Sequence, residues 1–162
     1  MKTQKATFGA GCFWGVEHIL KKIPGVLETT CGYEGGKLVN PTYNDIKKGT
    51  TNHAEVVMVE FDPTKISYKQ LLDYFWRLHD PTQLNRQGVD VGTQYRSVIF
   101  YHSEEQKTVA QESQREFDKS NIFSNPSVTQ IIPTEIFYAA EEYHQNYFEQ
   151  NGGQVCHILR PK

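Results

Sequence analysis

The stretch Ala54-Glu55-Val56-Val57-Met58-Val59-Glu60-Phe61 constrains the fold more than any other. Its middle is apolar on both faces, so it belongs inside a sheet, with a strand on either side and cover above and below. Asp62-Pro63 stops it. The segments 6–8, 26–31, 97–101 and 128–132 read as the strands that surround it. Val16, Ile19, Leu20 and Ile23 recur at helical spacing and form the first core-facing stripe. A second stripe, Tyr68, Leu71, Leu72, Phe75 and Leu78, follows the capping pattern Ser67-x-x-Gln70. Ser103-x-x-Gln106 opens a long charged helix to about Ser120, anchored only by Val109, Ala110 and Phe117 and so expected on the surface. A last helix is expected from Ala139 to about Gln150. Between these elements, 37–51 and 82–96 are polar connections, with one helical turn expected at Asn44–Lys48.

The order β-α-β-β-α-β, followed by a helix, a strand and a helix, predicts an α+β protein. The expected form is a split βαβ (ferredoxin-like) two-layer sandwich with an extended, irregular C-terminal tail. At 162 residues and 38% hydrophobic, the chain fits one domain, 1–162, with a mobile tail from about 151 to 162. Lys+Arg 17 against Asp+Glu 19, with no basic run, lacks the electrostatic footprint of nucleic-acid binding. No apolar leader or membrane-length stretch is visible, so the expected location is the cytoplasm. The three cysteines, 12, 31 and 156, show no zinc-type spacing, so no metal is expected, and in a reducing compartment they read as free or redox-active thiols.

Chemistry is most concentrated at Gly11-Cys12-Phe13-Trp14-Gly15. Cys12 sits at a strand-to-helix turn, where unpaired amides and the helix dipole favour a thiolate by up to about 2 kcal/mol. Phe13 and Trp14 would wall an apolar pocket beside the sulfur, and the glycines permit close approach. A buried, inert Cys12 is the competing reading. Glu55 shares a strand face with Val57, Val59 and Phe61. Either that face meets the core and burial raises its pKa, as a general acid requires, or the residue projects into solvent. His53 points the other way and reads as a surface or loop residue. Asp90, Tyr95 and Tyr43 lie in connections where polar groups can converge on a site or simply make turns. His144 reads as helix-surface or core, with a Cys-His pairing as its alternative.

These residues, taken together, resemble a known family. Gly11-Cys12-Phe13-Trp14-Gly15 is similar to the signature of the A-type peptide methionine sulfoxide reductases. So, in family order, are Gly32-Tyr33-x-Gly35-Gly36, Asn40-Pro41-Thr42-Tyr43, His53-Ala54-Glu55-Val56-Val57, Asp80-Pro81-Thr82, Leu84-Asn85-Arg86-Gln87, Asp90-Val91-Gly92-Thr93-Gln94-Tyr95-Arg96-Ser97 and Ala140-Glu141-Glu142-Tyr143-His144-Gln145. The resemblance implies Cys12 as nucleophile, Glu55 as the acid at the sulfoxide oxygen, and Phe13 and Trp14 around the substrate methyl group. It further implies Tyr43 and Tyr95 as ligands of that oxygen and Asp90 as a supporting carboxylate. The chain departs from the pattern at Cys31, Asn52 and Val89, and in having a single tail cysteine.

The implied reaction reduces methionine S-sulfoxide, free or in proteins, and leaves Cys12 as a sulfenic acid. A second thiol then forms a disulfide, which thioredoxin, or dithiothreitol in vitro, reduces without a metal or organic cofactor. Cys31 and Cys156 compete to be that resolving thiol. Cys31 lies in a register-fixed strand, whereas Cys156 follows Asn151-Gly152-Gly153 and can swing, so Cys156 is expected to resolve. A cysteine hydrolase using His144 or His53 and a binding domain with a structural Cys12 are the rival readings.

Overall fold

The computed structural model describes residues 2–162. In chain order the elements are β1 (Gln4–Ala10), α1 (Phe13–Leu20), β2 (Val26–Glu34), α2 (Tyr43–Ile46), β3 (Ala54–Phe61), α3 (Tyr68–Arg77), β4 (Arg86–Gln87) and β5 (Asp90–Val91). Then follow β6 (Ser97–Tyr101), α4 (Glu104–Lys119), β7 (Gln130–Pro133), β8 (Tyr138–Ala139) and α5 (Tyr147–Asn151), with 3-10 turns at Thr93–Tyr95 and Glu142–His144. This is a mixed α and β protein. Six strands form one sheet in the order β7-β6-β1-β3-β2-β8, and β4 and β5 pair as a separate hairpin.

β3 lies between β1 and β2 and is antiparallel to both, which is the interior position its sequence requires. β6 continues the sheet antiparallel to β1, and β7 runs parallel to β6 after the α4 crossover. Register decides which side chains share a face. Phe8 and Cys31 both oppose Val57, and Tyr33 opposes Glu55, so all of these point to one side of the pleat. On that side Ala6, Phe8, Ala10, Val57, Val59 and Phe61 pack with Phe13, Val16 and Leu20 of α1 and with Leu71, Leu72 and Phe75 of α3. The opposite face carries a smaller cluster, Ala54, Val56, Val98 and Phe100, covered by Ile132 and Phe137.

Local chemistry sets the helix starts. Ser67 and Gln70 make both reciprocal bonds of a capping box at α3, and Thr42 and Asp45 do the same for the single turn of α2. At α4 only half of the pattern is used. Ser103 Oγ accepts from the Gln106 amide, but the Gln106 side chain accepts from His102 N and donates to Lys5 O, tying the helix to β1.

The helix expected over 139–150 does not form. Gln145 spends its side chain on Cys31, accepting from its amide at 2.9 Å and donating to its carbonyl at 3.0 Å, so the segment binds the edge of β2 instead of coiling. Asn146 then adopts φ 52°, a left-handed conformation that interrupts any helix, and α5 begins only after it. The polar connection over 82–96 likewise holds the β4–β5 hairpin and a 3-10 turn, elements too short to carry a periodic signal.

One buried side chain holds this last segment against α1. Glu17, 1% exposed, accepts from Asn146 N at 2.7 Å and from Thr29 Oγ1 at 2.9 Å, and also faces the Cys31 thiol at 3.4 Å. Glu17→Ala strands these buried donors. Urea unfolding should show a loss of about 3 kcal/mol, with proteolysis near 146–150 accelerating first.

Candidate active site

Cys12 is the N-cap of α1, placed there because β1 ends at Ala10 and Gly11 turns the chain at φ 92°. The Cys12 side chain does not cap this helix start. Instead, Glu55 Oε1 accepts the Phe13 amide at 3.2 Å, so the carboxyl at the head of β3 lies under the first turn of α1. Glu55 is 2% exposed, which removes the solvent-facing alternative. Burial is the main cause that raises its pKa to about 8; the Phe13 amide opposes the shift, while Asp90 and Cys156 add to it.

The expected depression of the Cys12 pKa is reversed. Its thiol is pushed up, first by a hydrogen bond with Cys156, then by burial and by the neighbouring Glu55 carboxyl. The Trp14 amide at the helix start does favour the thiolate, but it is outweighed. The two sulfurs are coupled and shift in opposite directions. Cys156 is brought down to about 4 by the Cys12 hydrogen bond and, against its own burial, by His157. Cys156 thus lies beside Cys12, and it is exposed while Cys12 is half-buried.

The aromatic residues divide into an inner and an outer wall. Phe13 is buried, its ring centroid 5.7 Å from Tyr33 and 5.2 Å from His144. Trp14 stacks on Tyr147 at 3.7 Å and 3°, and its Nε1 donates to His144 Nδ1 at 2.9 Å. Cys12, Trp14, Asp90, Tyr147, Phe148, Gly152 and Cys156 line a cavity of about 380 Å³. Tyr43 lies 4.5 Å from the His144 ring, and Tyr43 and Tyr95 both feel Cys12 and Glu55. Burial first, and then Glu55, raise both phenols, Tyr43 to about 12. Asp90, on β5, is raised by burial and by Cys156 and lowered by His157. Cys12, Trp14, Asp90 and Cys156 thus share that cavity; Phe13 and Glu55 lie buried beside Cys12, and Tyr43 and Tyr95 are close enough to feel Glu55 and Cys12.

The other cysteine and the two histidines singled out in the sequence stand apart from that group or support it. Cys31 is buried on β2 beneath α1, donating to Phe13 O and Glu17 Oε1, and burial followed by Glu17 pushes its thiol far up. His53 is not a surface residue. It is 1% exposed and bridges the Gly36 amide and the Leu38 carbonyl, shaping the loop after β2. His144 is fully buried and serves Trp14 rather than Cys12.

Sequence reasoning missed three contributors. Glu141 joins two walls of the site by accepting from Tyr33 Oη at 2.8 Å and Tyr43 N at 2.9 Å. Tyr147 covers Trp14, and His157 contacts Cys156 at 3.2 Å. Only His157 carried a local signal, its adjacency to a cysteine. Among the described residues, no group of three or more His, Cys, Asp or Glu side chains is placed to hold a metal ion.

Comparison with known proteins places the chain in a family. The family described as "Peptide methionine sulfoxide reductase" matches residues 4–162. The "Peptide methionine sulfoxide reductase MsrA" of Methanothermobacter thermautotrophicus is 58% identical over 157 residues, covering 97% of this chain and 93% of its own. Mxr1 from Saccharomyces cerevisiae in reduced form superposes with a TM-score of 0.93 at 37% identity, covering 99% of this chain and 93% of that one. Mxr1 in complex with Trx2 superposes with a TM-score of 0.68 at 26% identity, covering 99% and 91%. A match from residue 4 to the last residue, together with relatives of this identity over nearly their full length, leaves one conclusion: the chain belongs to the peptide methionine sulfoxide reductases of the A type, and is an oxidoreductase.

Proposed function

We propose that this reductase acts on the S epimer of methionine sulfoxide, free or in proteins, through Cys12, and that the observation carrying the mechanism is the buried Glu55 carboxyl under the Cys12 helix turn. With a pKa near 8 it holds a proton at neutral pH and has one to give to the sulfoxide oxygen. The Cys12 sulfur attacks the sulfoxide sulfur, the oxygen passes to Cys12, and methionine leaves. The sulfoxide sulfur is reduced, and Cys12 becomes a sulfenic acid. Phe13 and Trp14 hold the methyl group, Tyr43 and Tyr95 bind the oxygen, and Asp90 supports them. The main cause of the raised Cys12 pKa is the hydrogen bond to Cys156, a contact that arriving substrate replaces.

Cys156 is the resolving thiol. It is exposed and beside Cys12, whereas Cys31 is locked under α1 by strand register. No helix or strand spans 152–162, and Gly152 and Gly153 both take positive φ, which lets the tail move between substrate and nucleophile. The resulting disulfide is reduced by thioredoxin, a reading supported by the yeast relative's complex with Trx2. No organic cofactor is required. Among the described residues no helix is long and apolar enough to cross a membrane, and we assign the chain to the cytoplasm. The central order β6-β1-β3-β2, with β1 and β2 split by an antiparallel β3, is read as a split βαβ sheet within one catalytic domain.

Incubation with each sulfoxide epimer and dithiothreitol, followed by methionine quantification, tests the reaction. Turnover of the R epimer alone, or of neither, would reject it. Cys12→Ser should fold and release no methionine.

Glu55→Gln keeps the shape and removes the transferable proton, and should slow sulfoxide reduction by about 10²–10⁴-fold. The sign with pH follows from which form works. The acid is the protonated carboxyl, so the parent rate should hold below pH 8 and decline as pH rises through it. A Glu55→Gln protein with the parent's rate would mean that another group is the acid.

For recycling, Cys156→Ser should release one equivalent of methionine and then stall with thioredoxin, whereas Cys31→Ser should keep turning over. Peptide mapping of the oxidised parent should find Cys12 joined to Cys156.

A further inference from the structure

His157 is a buried imidazole that the reduction step just described does not use. It is 8% exposed, although its neighbours Cys156 and Ile158 on either side are exposed, so this ring anchors the tail next to Cys156. Nε2 lies 2.7 Å from the carbonyl of Ala10, the last residue of the strand that leads into Cys12. A carbonyl only accepts, so Nε2 carries the hydrogen. In the neutral ring Nδ1 is then a free lone pair, and it faces Cys156 Sγ at 3.2 Å. The slot for the ring is cut into α1 itself. A Cβ at position 15 would collide with the imidazole and lie 2.9 Å from Cys156 Sγ, so Gly15 is what lets the pair dock against the nucleophile's helix.

Resting on the reading of Cys156 as the resolving thiol, we infer that His157 is the catalytic base of disulfide closure, taking the Cys156 proton so that a thiolate attacks the Cys12 sulfenic acid. Nδ1 accepts the thiol proton, and the sulfur lone pair forms the S–S bond while the S–O bond of Cys12 breaks. The oxygen leaves as water, carrying the sulfenic hydroxyl proton and the proton that left Cys156. The Cys12 sulfur is reduced and the Cys156 sulfur oxidised, so no further reactant is needed. In the reduced protein Cys12 also supports the Cys156 thiolate by hydrogen bonding; once Cys12 is a sulfenic acid that thiol is gone, and the imidazole is the base still facing Cys156. The pinning through Ala10 holds Nδ1 at a fixed distance from the nucleophile's own strand. A freely swinging tail would lack this alignment.

His157→Gln separates base from anchor, because its amide nitrogen can still donate to Ala10 O while no base faces Cys156. The groups around the pair that also titrate are Cys12, Glu55 and Asp90, with His79 beyond the ring, and none of them changes. Parent and variant receive one equivalent of sulfoxide without reductant, and quenched mapping follows methionine release and the Cys12–Cys156 disulfide separately. Closure in the variant should slow by about 10²-fold at about pH 6, relative to methionine release, and recover towards an ordinary thiol ionisation near about 8.5. A variant with the parent's closure rate and pH profile overturns the role of His157. A parent that forms no Cys12–Cys156 disulfide overturns the recycling reading, and this inference with it.

Discussion

The contact between the Glu55 carboxyl and the Phe13 amide is the constraint on which the site depends. An α-helix begins with amides that lack partners, and here one of them is satisfied by a side chain from the middle of the sheet. Because β3 lies between β1 and β2 and Glu55 is paired with Tyr33 of β2, the helix start is located by a strand inside the sheet. The same bond partly offsets the cost of burying Glu55, yet burial still dominates and the group keeps its proton near neutrality. One interaction therefore places the nucleophile and leaves beside it a carboxylic acid able to donate.

Besides the Trp14–Tyr147 stack, the C-terminal segment is fastened by polar contacts. Glu17 and Gln145 fasten residues around 145 and 146 to α1 and to β2, His157 fastens to Ala10, and the Arg160 amide donates to Arg77 O at 2.9 Å while Arg77 Nε donates to Arg160 O at 2.7 Å. Between the first and last of these anchors lie Gly152 and Gly153, each with positive φ and nothing near the place where a Cβ would sit. Fixed points flanking a pliable stretch suit a thiol that has to approach a nucleophile and retreat from it. Polar anchors also open more readily than a packed core, since each net hydrogen bond is worth about 1 kcal/mol.

The framework was legible because it rests on periodicity and on local capping. The 54–61 and 97–101 strands stand where alternation and apolar content put them, and α3 begins at its capping box. The segment 139–150 was misread for a physical reason. Gln145 and Asn146 act through partners far away in sequence, Cys31 and Glu17, so a local pattern of helix formers says nothing about them. His53 failed in the same way. Its neighbours suggested an outward-facing loop residue, but the carbonyl of Leu38 and the amide of Gly36 draw the ring inward.

What the sequence determined by itself is the chemistry available: a thiol between glycines before two aromatic rings, a carboxyl on an apolar strand face, and a glycine-bearing tail with one cysteine. Residue type and short-range pattern carry that information. Only the tertiary structure decided the state of those groups. Whether Cys12 is a thiolate depends on the sum of a helix-start amide, a desolvating core, a carboxyl from β3 and a sulfur from the tail, and the last three outweigh the first. Electrostatic energies are set by distance and burial, and both arise from contacts between residues as far apart as 12 and 156.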